Sequence, residues 1–236
     1  MVCNKKLLLR FLELIALKGD IENKETLLNI SFGGIASIIG HPSKTVAIKG
    51  VLLGDFDDIG DVGIDDIPLF ISLLKSFSGN EVTITKEKNK LILISENKKL
   101  RASLILREPE YIINTLEGTK IDTLLEKTKG NVFTLSKDSI KSILSYVNAI
   151  GSDKIVLIGK DKELQVALEN KENEILASFD IEQTVDGFTV KLMKQITSIL
   201  NIVDGDIVLS MKDDSPISIT IKDENMEVIY IVAPIK

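Results

Sequence analysis

Two hydrophobic periods alternate along this chain. The first places apolar residues near i, i+3, i+4 and i+7, one face of an α-helix. It occurs at residues 5–18 (Leu7, Phe11, Leu14, Ile15), 67–77 (Ile67, Phe70, Ile71, Leu74), 137–149 (Ile140, Ile143, Leu144, Val147) and 189–201 (Leu192, Ile196, Ile199, Leu200). Capping chemistry opens three of these segments: Asp65 and Asp66 before Ile67 with Pro68 following, Ser136 before Lys137, and Thr189 before Val190. The second signal is short β-branched runs at 81–86, 90–95, 100–106, 154–158, 163–169, 206–211, 217–222 and 227–232. Turn-forming triplets at 87–89, 96–98, 213–215 and 223–225 separate many of them, so the strands form successive hairpins and an antiparallel sheet.

The pattern repeats. Each half reads helix, strands, helix, then three hairpin strands. Gly63-Ile64 and Gly187-Phe188 lead into the second helix of their halves. Residues 80–84 and 205–209 start the hairpins 125 positions apart. Two tandem domains of similar architecture follow, 1–107 and 132–236. Between them, 108–131 contains Pro109, Gly118, Gly130 and many charges, and reads as a long connector. It also carries Ile112, Ile113, Leu116, Ile121, Leu124 and Leu125, which a purely solvated linker does not need.

Composition narrows the chemistry. With 236 residues, 44% of them apolar, the chain has ample core for one large domain or two smaller ones. A single cysteine, Cys3, excludes an internal disulfide and a Cys-rich zinc site. A single histidine, His41, excludes schemes that need two. Without Trp and with three Tyr, base-stacking platforms are poorly supported. The apolar stretch 7–17 is too short to span a bilayer, is broken by Arg10 and Glu13, and lacks a cleavage site, so a soluble intracellular protein is expected. A calcium-like loop over 55–66 fails at two ligand positions, and Gly33-Gly34 is not followed by a phosphate-loop lysine. The Asp pairs 57/58, 65/66 and 213/214 read as turn or cap residues. No metal and no cofactor are expected.

Charge changes the picture most. The formal net charge is −6, which as an average argues against a nucleic-acid partner. By segment, the four helices carry +3, +1, +1 and +2, together +7, leaving −13 elsewhere. Counting Asp65 and Asp66 with the second helix lowers the helical sum to +5. Lys6/Arg10, Lys137/Lys141 and Lys191/Lys194 stand three or four apart, so each pair shares a helix face away from the apolar stripe. For one helix an ordinary solvated face explains such charges. Four such helices in an acidic chain describe one basic surface.

Tandem α+β domains, four mildly basic helices and an apolar connector resemble a DNA sliding clamp of the proliferating cell nuclear antigen (PCNA) family. Local matches are Asp214-Ser215-Pro216-Ile217-Ser218-Ile219 with the ending Tyr230-Ile231-Val232-Ala233-Pro234-Ile235-Lys236, Gly34-Ile35 leading to Val46-Ala47-Ile48, and Ile59-Gly60-Asp61-Val62-Gly63-Ile64. The resemblance implies an α+β fold of two clamp-type domains, with antiparallel sheets outside and two helices per domain inside, assembling into a ring. The bacterial-type clamp, with three domains per chain, is excluded by length.

The implied function is a non-enzymatic polymerase processivity factor that encircles duplex DNA and tethers replication and repair proteins. Lys5, Lys6, Arg10, Lys75, Lys137, Lys141, Lys191 and Lys194 would face sequence-independent duplex DNA. Lysine contacts to phosphate read no sequence and exchange readily. A client pocket under the connector would use Ile39, Ile48, Leu124, Leu125, Pro216, Ile231, Ala233 and Pro234. It would take short peptide motifs from a polymerase, a clamp loader and other clients. Ring closure as a homotrimer would pair 100–106 with 163–169 of the next subunit. The implied location is the cytoplasm or nucleoid in a prokaryote or virus and the nucleus in a eukaryote, with no membrane. Alternatives are a monomeric viral-type processivity subunit, one subunit of a heterotrimeric clamp, and, from another class, a small α+β enzyme or a peptide-binding adaptor.

Overall fold

The computed structural model describes residues 1–235. The first half runs β1 (Val2–Asn4), α1 (Lys5–Ala16), β2 (Thr26–Ser31), β3 (Gly34–Gly40), β4 (Val46–Leu53), β5 (Gly60–Ile64), α2 (Ile67–Ser76), β6 (Glu81–Glu87), β7 (Lys90–Ser95) and β8 (Arg101–Ile105). A connector follows, holding a 3-10 turn at Pro109–Tyr111 and α3 (Gly118–Thr128). The second half runs β9 (Asn131–Leu135), α4 (Lys137–Ile150), β10 (Lys154–Glu169), β11 (Glu174–Met193), α5 (Ile196–Leu200), β12 (Ile207–Met211), β13 (Ile217–Lys222) and β14 (Met226–Val232).

The helices start where side chains satisfy their first amides. Asn4 accepts from Lys6 and Leu7 N–H, Asp66 from Leu69 N–H, and Ser136 from Ser139 N–H. A twelve-residue helix is marginal alone, so α1 depends on burying Leu8, Phe11, Leu12, Leu14 and Ile15. Each fully buried large side chain is worth about 1.5–3 kcal/mol.

Three antiparallel sheets result. One is four-stranded, β1-β6-β7-β8; one pairs β10 with β11; and one is eight-stranded, β5-β2-β3-β4-β14-β13-β12-β9. The last joins both halves along β4 and β14, from Met226↔Leu52 to Val232↔Val46. Strand parity then assigns faces. On β4, Ile48 and Gly50 turn toward the main core and α1, while Ala47 and Lys49 turn toward the connector. Tyr230 on β14 faces the core and donates its hydroxyl to Leu14 O at 2.9 Å; Ile231 faces the connector. Helices α2, α1, α5 and α4 form a layer, with the Gly19–Ile21 turn bridging α1 and α5. Helix α3 lies on the opposite face of the eight-stranded sheet.

One sequence expectation is corrected. Residues 189–193 are strand, not helix: Phe188, Val190 and Leu192 are buried, Thr189, Lys191 and Met193 exposed, and the segment pairs with 154–158. Only five helical residues remain, in α5. Leu192 and Ile196 stand four apart across a strand-to-helix junction, which imitates one helical stripe. The connector holds a regular element of its own, the eleven-residue α3.

Candidate functional site

The connector builds a groove on the outer face. Its first residues cross β5 at Gly63, where a Cβ would lie 2.2 Å from Arg107 O. They then run beside the end of β3, where Thr115 bridges Ile39 and Gly40 N–H donates to Asn114 O at 2.7 Å. A Cβ at residue 40 would lie 2.7 Å from Leu116 Cγ, so glycine lets this strap approach. Glu25 pins it: Oε1 accepts from Ile113 N–H at 2.8 Å and Asn114 N–H at 3.1 Å, and Oε2 from Arg107 Nη1 at 3.1 Å. Next, α3 sets Ile121 on Ala47 and Ile231, with Ile38, Leu116, Leu124 and Leu125 around them. Lys49 Nζ meets Asp122 Oδ1 at 3.0 Å at the edge of this cluster.

Between strap, α3 and the ends of β4 and β14 is a mainly apolar groove of about 540 Å³. One wall is the turn from His41 to Thr45. Lys44 N–H donates to His41 O at 2.8 Å, and Ser43 N–H to His41 Nδ1 at 3.2 Å, which suits a neutral ring protonated on Nε2. Ser43 Oγ lies 2.6 Å from both His41 Nδ1 and Thr45 Oγ1. Burial lowers the His41 pKa from its ordinary 6.5.

Of the residues expected in the client pocket, Leu124, Pro216, Ile231 and Ala233 line the groove. Leu125 packs in the cluster beside it. Ile39 and Ile48 are corrected: both are buried in the main core, because even positions on β4 face α1 and Ile39 carries only the backbone bridge. Pro234 is corrected too; it lines a separate recess with Thr189, Lys191 and Asp213. Val46, Ala47, the 41–45 turn, Asn114 and Thr115 line the groove unexpectedly, and Ile113 and Leu116 do so as two of the apolar connector residues singled out in the sequence. Strand parity applied to Val46-Ala47-Ile48 could have found Ala47; the strap was signalled by its apolar residues, and the turn had no local signal.

The helix layer is less basic than counting implied. The helices α1, α2, α4 and α5 carry +2, +1, +1 and 0, together +4. Lys18, Lys191 and Lys194 lie outside them. Lys191 is corrected as a helix-face residue: it alternates with buried Val190 and Leu192 and so points away from the layer. Several other cations meet carboxylates: Lys75 with Glu13 at 2.7 Å, Lys137 with Asp204 at 2.5 Å, Lys141 with Asp138 at 3.3 Å and Lys194 with Asp153 at 2.9 Å. Lys5 Nζ donates to Phe77 O at 2.5 Å. Lys6 is exposed and Arg10 half-buried. Among the described residues no cluster of three or more His, Cys, Asp or Glu could hold a metal ion, and no helix is long and apolar enough to cross a membrane. Cys3 is buried, and desolvation pushes its thiol up to about 12.

An α+β chain whose helices line one face of antiparallel sheets, with its halves fused edge to edge and strapped by a connector, has the sliding-clamp fold. Two of the solved structures it matches are PCNAs. One is the A. fulgidus protein with the C-terminal region of FEN-1 bound, 13% identical, with 100% of this chain and 97% of that chain covered and a TM-score of 0.79. Another is PCNA from Entamoeba histolytica, 18% identical, covering 99% and 96%, also at 0.79. At these identities the likeness is one of fold. No protein-family model and no curated protein matches the sequence.

Proposed function

We propose that this chain is a DNA sliding clamp: a ring of three copies that encircles duplex DNA and tethers client proteins without catalysing a reaction. The observation that carries this reading is the whole-chain match to PCNA folds, end to end in both directions. The clamp-type domains are 1–107 and 132–236, with 108–131 between them. The helix layer faces the duplex through Lys5, Lys6, Arg10, Lys75, Lys137, Lys141 and Lys194. Paired cations at +4 net charge suit a loose, sequence-independent hold in which phosphates compete with carboxylates. Polymerase, clamp loader and other clients dock by short motifs in the connector groove; the A. fulgidus protein is one solved with such a segment, the C-terminal region of FEN-1, bound. Work on DNA places the protein in a nucleus or nucleoid.

Internal symmetry points to the strands that close the ring. In the first half β2 pairs with β5 and β3 with β4. In the second, 154–159 pair with 188–193 and 163–169 with 174–180. Residues 174–180 therefore take the place of β4, and β8 takes that of β14 as the last hairpin strand. The β4–β14 joint inside one chain becomes a joint between 174–180 and β8 across two chains. This revises the expected pairing of 163–169, which is occupied by 174–180. Exposure agrees: Leu176 is 65% and Ile105 69% exposed. Run antiparallel, Lys98, Lys99 and Arg101 meet Asp180 and Glu182. Burial of both edges removes an aggregation hazard.

A loader-assisted retention assay tests the function. The protein should stay on closed circular DNA and slide off linear DNA. Equal retention on both would reject the ring.

A further inference from the structure

Charge in the connector groove is one-sided. Among the described residues that line it, Lys44 is the one Lys or Arg, and there is no Asp or Glu. Lys44 forms no ion pair among the described residues. The acidic residues Glu117, Asp122 and Glu126 at the connector helix pair instead with Lys120, Lys49 and Lys129. The backbone of this lysine is also held in place. Its φ is 58°, a left-handed conformation that costs a non-glycine residue free energy and persists only where the surroundings impose it. Here the imposing features are the Lys44–His41 backbone bond and the side-chain chain His41–Ser43–Thr45.

We infer that the groove selects client peptides bearing a carboxylate beside their apolar anchors, and that Lys44 reads it. This rests on the groove being the client site. The apolar lining supplies most of the affinity and accepts any well-shaped anchors. The cation at its mouth then discriminates among them, favouring a partner that brings the missing negative charge and opposing one that brings a positive charge. The carboxylate can come from an Asp or Glu side chain or from a peptide C-terminus.

Fluorescence anisotropy with labelled synthetic peptides decides it. Each carries an aliphatic and an aromatic anchor for the apolar lining. One pair differs by glutamate against glutamine beside the anchors, the other by a free against an amidated C-terminus. The wild type should bind the carboxylate member of at least one pair about two- to fivefold more tightly at low salt, the range of an exposed ion pair. The preference should fade at high salt. Whichever pair shows the effect identifies the source. Lys44→Asn, whose side chain tolerates left-handed backbone, should bind both members equally, and Lys44→Glu should invert the preference. Equal binding of both members of both pairs by the wild type, or an unchanged preference in Lys44→Glu, overturns the inference and leaves the groove intact. If no peptide binds the wild type, the groove reading fails and takes the inference with it.

Discussion

Lys137 and Asp204 show how the helix layer balances its own charge. The hydrogen bond from Lys137, then its charge, hold the Asp204 carboxyl below its ordinary 3.8, and the same contacts raise Lys137 above 10.5. The signs give opposite pH windows. Asp204, depressed in the fold, contributes stability above its unfolded pKa and loses it as pH falls through the lowered folded value. Lys137, raised, contributes below its unfolded pKa and loses it as pH rises through the folded value. Both groups are solvent-exposed, so the energetic worth is small, but the titration is visible. In a carbon-detected NMR titration the Asp204 midpoint should lie below 3.8 and move up toward it in Lys137→Met. An unmoved midpoint would mean the pair does not form in solution. Any duplex phosphate that takes Lys137 must displace this carboxylate, which keeps the contact weak.

Among the elements, α3 is weakly secured. Its N-cap, Glu117, makes no side-chain cap bond, its first residue is Gly118, and Ile121 is its one fully buried large side chain. Short uncapped helices with little buried area sit at the low end of local stability. Ile121→Ala should cost about 2–4 kcal/mol at this site, the usual price of a buried Ile or Leu truncated to Ala. By hydrogen exchange, amides of Gly118–Thr128 should lose protection while those of α1 keep theirs. Equal loss in both would mean that α3 unfolds with the core. The same substitution should weaken peptide binding, because Ile121 seats the helix that carries Leu124 into the groove wall.

For the whole molecule, the decisive feature is the sheet that crosses from one half to the other. Its β4–β14 seam joins the halves in one continuous sheet, and the same kind of seam between chains would close a ring. Ile105→Asp tests this by placing a carboxylate on the exposed β8 edge, opposite the acidic start of β11. Light scattering should give a trimer for the wild type and mainly monomer for the variant, with far-UV circular dichroism unchanged. A trimer that survives the substitution would place the interface elsewhere. A wild type that is monomeric at micromolar concentration would exclude the stable ring altogether.

Local chemistry was enough to read most of the elements. Three helices, the hairpins at β6–β8 and β12–β14, the caps at Asp66 and Ser136 and the repeat all follow from periodicity and turn residues, which act over a few positions. The fourth helix was misread because a strand-to-helix junction can carry helical spacing by coincidence. What only the tertiary structure decided was which face each residue serves. Parity on β4 sends Ile48 to the core and Ala47 to the groove, a choice made by strand pairing between residues almost two hundred positions apart. The groove likewise joins the 41–45 turn, the strap and the end of β14, so no single window of sequence contains it. The charge pattern was legible as a sum over helices. Its pairing, with Lys75 on Glu13 and Lys137 on Asp204, depends on distances that appear once the chain has closed on itself.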